Sequence, residues 1–413
     1  MLKPLINISP HHLFGFCLAI TLFELLTYMG SDMIMPAMLT VTRQLDASPS
    51  HVPFAFNLYL IGGILLQWLI GPLSDHFGRR RLLLIGCAGF ALACAAAFYV
   101  QSILAFNSLR LIQGMGLGFV IAVSYPALQE VFCEADAVKI MALLGNVALL
   151  SPLLGPLLGS LALEWLSWRE LFLLLGIGGA MVWLGLYWFM PETVGTLRQD
   201  GQQLAAVPFE WGGTVRRYAA LLGNPPFLSA TIALGLMSLP LIAWIGLAPL
   251  LLVRSQGLST LHYGLWQIPV FAAVILGNLI LNRLIASTEL TQLIRYALWP
   301  FCGGLVALTA ITFIGASTVL LVSCLSVYAI GLGMSNAALY RLALFSSDDS
   351  KGLVSAMVGM ISIAVMGVGG SIIAALGAGD SLEAFALMAG LAGLLCLLPL
   401  RLFLRRSPIA HAA

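Results

Sequence analysis

This sequence predicts an all-α integral membrane protein: twelve transmembrane helices in two pseudo-symmetric six-helix bundles. Three observations carry that expectation. Of 413 residues, 60% are hydrophobic and 9% charged, whereas a soluble domain carries about 25% charge. Apolar runs exceed the roughly 20 residues that one span needs; 82–109 and 296–340 contain no Asp, Glu, Lys or Arg. One substantial polar stretch, 191–224, divides the chain near its middle.

Cutting at charges and at Gly/Pro/Asn/Ser clusters places the spans near 12–40, 52–72, 82–100, 104–128, 137–163, 169–190, 225–252, 261–285, 291–313, 317–344, 353–377 and 382–404. The charge-free run 296–340 must hold two helices, with a turn expected at Gly315-Ala316-Ser317. The first span contains Glu24 and Asp32 and lacks a small-residue cleavage site, so it reads as a retained helix rather than a signal peptide. The expected domains are residues 1–190, a linker at 191–224 and residues 225–413. In the linker, Trp211 and Tyr218 are candidates to anchor a short interfacial helix.

Basic residues concentrate in the even-numbered connections: HFGRRR at 76–81, Arg198, Arg216, Arg217, Arg283 and Lys351, with Arg401, Arg405 and Arg406 at the C-terminus. The odd-numbered connections hold little more than Arg43, Arg169 and Arg254. The positive-inside rule therefore puts both termini in the cytoplasm. Two similar halves joined by a cytoplasmic linker predict a secondary transporter with its site near the midplane.

Net charge is only +2 and gives no reason to expect a nucleic-acid partner. The seven cysteines are scattered, without Cys-x-x-Cys or a Cys/His cluster, so no metal site and no disulfide framework are expected. No cofactor is expected either. The six histidines form no ligand-spaced pair with an acid inside a span, which argues against an integral-membrane enzyme.

In span one, Glu24, Tyr28 and Asp32 stand at i, i+4 and i+8. They stack along one helix face, about 12 Å from end to end at 1.5 Å per residue. A carboxylate is costly to ionise in a low-dielectric site, so two acids at different depths can store protons and receive cations. Pro36 is expected to bend or end the helix. The alternative puts Asp32 at the outer membrane edge, capping or solvated.

The loop GPLSDHFGRRR, Gly71 to Arg81, combines tight-turn glycines with Asp75 among arginines, Arg79 and Arg80 included. Asp75 can accept charge-assisted hydrogen bonds there, and Gly78 permits close helix approach. The loop reads as a cytoplasmic latch between halves, or as a plain positive-inside loop. Span four contains LRLIQGMGLG, with Arg110 well inside an apolar helix and Gln113 on its face. Such a guanidinium faces a cavity or a partner, unless it snorkels to an interface. Span five carries Pro152, Gly155, Pro156 and Gly159, a kink with a small-residue packing face. Tyr125 in span four and Tyr263, Gln267 and Phe271 in span eight are candidate ligand contacts, aromatic rings favouring planar or cationic ligands.

Several of these orders are more specific than charge or size. G-x-L-x-D-x-x-G-R-R resembles the signature loop of the major facilitator superfamily, with His76 where that family usually has Arg. R-x-x-Q-G-x-G resembles its second motif, whose arginine is tied to proton transfer. P-L-L-G-P-x-x-G resembles the motif of its drug/proton antiporters, with Ser160 in place of the last glycine. With FELLTYMGSDMIMPAML, SLPLIAWIGLAP and SSDDSKGLVSA added, nearly the whole chain resembles the MdfA-type multidrug/proton antiporters of that superfamily.

The resemblance implies the major facilitator fold and a bacterial inner-membrane location. It implies that Glu24 and Asp32 are the acidic pair for proton and substrate coupling, with Arg110 as the motif arginine and Asp75 as the gating aspartate. Tyr28, Tyr125, Asn146, Tyr263, Gln267 and Phe271 match positions near the drug cavity. Two departures, Ser31 for Asn and Leu144 for Met, bear on substrate range. The expected activity is efflux of lipophilic cationic and neutral drugs, amphenicols included, in exchange for protons, by a monomer. The alternatives are a proton-coupled nutrient symporter and a monovalent cation/proton antiporter.

Overall fold

Polar caps and glycine turns divide the long apolar runs into helices. Side chains of Ser9, Ser102, Asn224, Ser317 and Ser381 accept the N–H of His12, Ala105, Phe227, Leu320 and Ala384, meeting donors that a helix start leaves bare. Ser167 and Glu170 form a reciprocal capping box. A computed structural model describes residues 4–199, 201, 211–284, 288–347 and 351–406.

The helices are α1 (Pro10–Asp32), α2 (Met38–Gln44), α3 (His51–Leu65), α4 (Gln67–Phe77), α5 (Arg79–Ala97), α6 (Ile103–Phe119), α7 (Tyr125–Val131), α8 (Glu134–Ala162), α9 (Trp168–Phe189) and α10 (Trp211–Leu222). They continue as α11 (Pro225–Ala248), α12 (Thr260–Leu284), α13 (Leu290–Ile314), α14 (Thr318–Leu344), α15 (Lys351–Ala375), α16 (Leu382–Leu394) and α17 (Leu397–Arg406). Among the described residues, eleven helical segments are long and apolar enough to cross a membrane, and Leu150–Ala162 is a shorter apolar part of α8. With α8 spanning 29 residues, the helices follow the expected spans closely. α13 ends at Ile314 and α14 begins at Thr318, with Gly315 at φ 93° in the turn between them. The polar stretch after α9 contains α10, where a short helix is expected.

Helix contacts divide the chain into two units, Met1–Ala37 with Leu58–Glu210, and Met38–Asn57 with Trp211–Ala413. In the first unit α1 packs on α8 and α9, and α5 on α6 and α9. In the second, α14 packs on α12 and α13, and α11 on α15. Residues 38–57 join this second unit through named contacts. Asn57 Nδ2 donates to Ser371 Oγ at 2.9 Å, and Gly246 leaves room for Phe56 and Pro53.

Two glycine contacts show how closely the backbones approach. A methyl at Gly114 of α6 would overlap the Tyr59 carbonyl of α3. A methyl at Gly333 of α14 would overlap the Val274 carbonyl of α12. Spans two and four, and spans eight and ten, are thus joined in the same way, each through small residues that let backbones touch. Gly89 of α5 is the contrast, with open space where a Cβ would stand. Gly114→Ala should lower the thermal midpoint in detergent, overpacking costing about 1–3 kcal/mol. Gly89→Ala should be neutral or raise it, since alanine in a helix gains roughly 0.5–1 kcal/mol. Equal effects of the two would contradict the close-contact account.

Candidate functional site

α1 runs without a break from Pro10 to Asp32, so Glu24, Tyr28 and Asp32 share one helix face as their spacing requires. Beyond Asp32, Met35–Ala37 form a 3₁₀ turn around Pro36, and α2 continues the chain. The proline interrupts the helix where expected. Asp32 is only 4% exposed, which excludes the solvated-edge reading.

Glu24 is 1% exposed. Its Oε1 accepts the Tyr125 hydroxyl at 2.8 Å, while its Oε2 is buried with no hydrogen-bond partner among the described residues. Tyr125 reaches it from the first position of α7, directly after a π-helical turn at Val120–Ser124. Pro126 accounts for that turn, because it has no N–H for the Ala122 carbonyl. A π turn re-aims the side chains that follow it.

Asp32 Oδ2 accepts the hydroxyl of Ser151 on α8 at 2.9 Å. The two helices can come this close because Gly155 faces the acid: a methyl there would stand 2.6 Å from Asp32 Cβ. One turn on, a methyl at Gly159 would overlap the Met33 carbonyl. Pro152 and Pro156 lie inside α8 beside these glycines. Leu144 is fully buried on the same helix. Asn146 belongs to α8, and its side chain lies outside what is described.

Arg110 is 1% exposed and does not snorkel. Its Nη1 donates to the Gly30 carbonyl at 2.8 Å and to Gln113 Oε1 at 2.9 Å. Its guanidinium lies 4.5 Å from the centre of the Tyr59 ring, a cation–π contact. The Tyr59 hydroxyl in turn donates to the Thr27 carbonyl. The arginine therefore ties α6 to the α1 backbone between Tyr28 and Asp32.

The loop arginines form a separate cluster. Arg79 Nη2 lies 2.5 Å from Asp75 Oδ1 and 2.8 Å from Glu130 Oε1, and its backbone N–H donates to Glu192 Oε1 at 2.8 Å. Thr193 donates to Glu130. Gly78, at φ 101°, leaves space that a Cβ would take from the Glu192 carboxylate. Arg80 donates to the Tyr187 carbonyl, and His76 is exposed, edge-on to Phe77. Each of these named partners lies in the first unit.

In the second unit α12 carries Tyr263, Gln267 and Phe271, all buried. Both amide atoms of Gln267 lack a hydrogen-bond partner among the described residues. A side chain built to pair but left bare inside a protein is costly.

Sequence reasoning missed Ser151, Tyr59, Glu130 and Glu192. Ser151 stands immediately before Pro152 of the span-five motif. Glu130 and Glu192 each follow an apolar helix toward the even-numbered side, where the arginines gather. Opposite charge at equal membrane depth was the available signal for those two.

The family model described as Major Facilitator Superfamily matches residues 20–360. Among curated proteins, the chain is 44% identical over 400 residues to "Multidrug transporter MdfA" of Yersinia pestis bv. Antiqua (strain Angola), covering 96% of this chain and 95% of that one. It is 43% identical over 380 residues to the protein of the same name from Edwardsiella ictaluri (strain 93-146), covering 91% of each. Two solved structures share the fold. A D-xylose-proton symporter aligns with TM-score 0.73 at 16% identity, over 93% of this chain and 97% of that one. A bacterial homolog of the human lysosomal transporter Spinster aligns with TM-score 0.73 at 12% identity, over 98% and 99%. With the family model covering most of its length and relatives this similar along nearly all of it, the chain belongs to the major facilitator superfamily of membrane transporters.

Proposed function

We propose that this protein exports lipophilic cationic and neutral drugs, amphenicol-like compounds among them, from a bacterial cytoplasm in exchange for protons. It does so in the inner membrane with both termini cytoplasmic, as the distribution of Lys and Arg suggests. The name of its relatives, multidrug transporter, supports the substrate class.

The observation that carries the coupling is the bare oxygen of Glu24. A buried ionised oxygen with no donor is costly. A proton relieves that cost, and so does a cation, and the two compete for the same atom. In the outward-facing state Glu24 or Asp32 takes a proton. In the inward-facing state a drug displaces it to the cytoplasm. A ligand can drive this cycle only if its affinity differs between the two states.

Asp32 acts on the helices. With Ser151 on its oxygen and Gly155 against its Cβ, a change in its charge alters the α1–α8 contact. Arg110 holds α1 in place at Gly30. Tyr28, Tyr125 and Leu144 in the first unit supply drug contacts, as do Tyr263, Gln267 and Phe271 in the second. Gating falls to Asp75, Gly78, Arg79 and Arg80 in the loop, and to Pro152, Gly155, Pro156 and Gly159 in α8.

Carrying one proton inward through 100 mV is worth about 2.3 kcal/mol. One-for-one exchange with a monovalent cationic drug moves no net charge, so only the pH gradient drives it. A neutral drug draws on the potential as well. In proteoliposomes, drug should accumulate on the acidic side. Collapsing the potential at fixed pH gradient should slow export of chloramphenicol and leave that of tetraphenylphosphonium unchanged. Drug moving with the protons would instead establish symport.

Glu24→Gln keeps the shape and removes the charge. Transport of tetraphenylphosphonium should fall at least about tenfold, the equivalent of 1.4 kcal/mol. Transport of chloramphenicol should fall far less, because Asp32 still carries a proton. Equal losses for the two drugs in the same vesicles would refute a cation-recognition role for Glu24.

A further inference from the structure

The second unit contains a pocket of about 380 Å³ that the transport reading does not use. Its lining includes Thr42, Arg43, Ala47, Pro49, Val253 and Arg254. Arg43 comes from the last turn of α2, and Arg254 from the π-helical turn Pro249–Ser255 that ends span seven. The two segments are distant in sequence but pack on one another. Both arginines are exposed, whereas Thr42 is buried.

Two like charges turned to one pocket repel unless something negative lies between them. No carboxylate lines the pocket, and among the described residues neither guanidinium pairs with one. These are also two of the few basic residues in the odd-numbered connections, so general enrichment in positive charge does not account for their meeting. Guanidinium forks match the oxygens of a phosphate two at a time, which an ammonium cannot do. Each segment ends a helical run long and apolar enough to cross a membrane, and the ends of such runs meet the headgroup region.

We propose that Arg43 and Arg254 bind a phosphate group in this pocket, carried by an anionic phospholipid. The bound phosphate bridges α2 to the end of span seven. It joins the segment that continues from the acid-bearing helix to one that begins with α11. The competing account is that each arginine only faces the carbonyls at its own helix end, an arrangement favourable without any ligand.

The test uses the purified full-length protein in a neutral detergent, with thermal unfolding followed at constant ionic strength. Dihexanoyl-phosphatidylglycerol, dihexanoyl-phosphatidylcholine and inorganic phosphate are the three probes. Phosphatidylglycerol should raise the wild-type midpoint saturably, and the zwitterionic lipid should do so only at much higher concentration. Inorganic phosphate acting over the same range would identify the free anion as sufficient; phosphatidylglycerol acting alone would identify the lipid. Both results uphold a phosphate site. Arg43→Ala with Arg254→Ala should raise the half-saturating concentration at least about tenfold, charge-assisted hydrogen bonds being among the stronger ones. The surface pair Arg295→Ala with Arg401→Ala should leave it unchanged. If the alanine pair lowers the midpoint without ligand, Arg43→Lys with Arg254→Lys keeps the charge and should still weaken binding several-fold. No shift in wild type with either anionic probe, or the same shift in the arginine variants, would overturn the proposal.

Discussion

Charge placed inside an apolar helix bundle has to be met atom by atom, and the first unit is arranged around that requirement. Arg110 satisfies part of it, with a backbone carbonyl and a glutamine on Nη1 and an aromatic face over the guanidinium, while its Nε and Nη2 have no hydrogen-bond partner among the described residues. Asp32 satisfies part of it with Ser151. Glu24 leaves one oxygen bare, and that deficit makes it responsive to protons and cations. Were every acid fully paired, the helix would be more stable and less able to exchange one ligand for another.

Backbone proximity makes those pairings possible. Ser151 reaches Asp32 because Gly155 and Gly159 let α8 lie against α1. Tyr59 approaches Arg110 from a helix that Gly114 admits to van der Waals contact. Tyr125 meets Glu24 after a π turn that a proline induces in span four. Small residues and helix irregularities thus position polar groups that are far apart in the chain.

Much of the fold was legible in the sequence because a membrane span is a length and composition problem. The long charge-free run 296–340 had to contain a turn, and Gly315 provides it. The face shared by Glu24, Tyr28 and Asp32 followed from helix period alone. The hydroxyl of Ser151 did not, because serine in an apolar span more often bonds its own helix, as Ser160 does with the Pro156 carbonyl. The joining of residues 38–57 to the second unit also lay beyond sequence reasoning, since it depends on contacts such as Asn57 with Ser371. Glu130 and Glu192 were readable only as acids near basic loops; their meeting at Arg79, Glu130 on its guanidinium and Glu192 on its backbone N–H, is a three-dimensional fact.

The central claim is that drug and proton compete for the acids of α1. Its most direct measurement is proton release from the detergent-solubilised protein in weakly buffered solution when drug is added. The account predicts a saturable release from wild type with tetraphenylphosphonium and with chloramphenicol, and none from Glu24→Gln with Asp32→Asn. A wild-type protein that binds either drug without releasing protons, or a double variant that releases them undiminished, would contradict it.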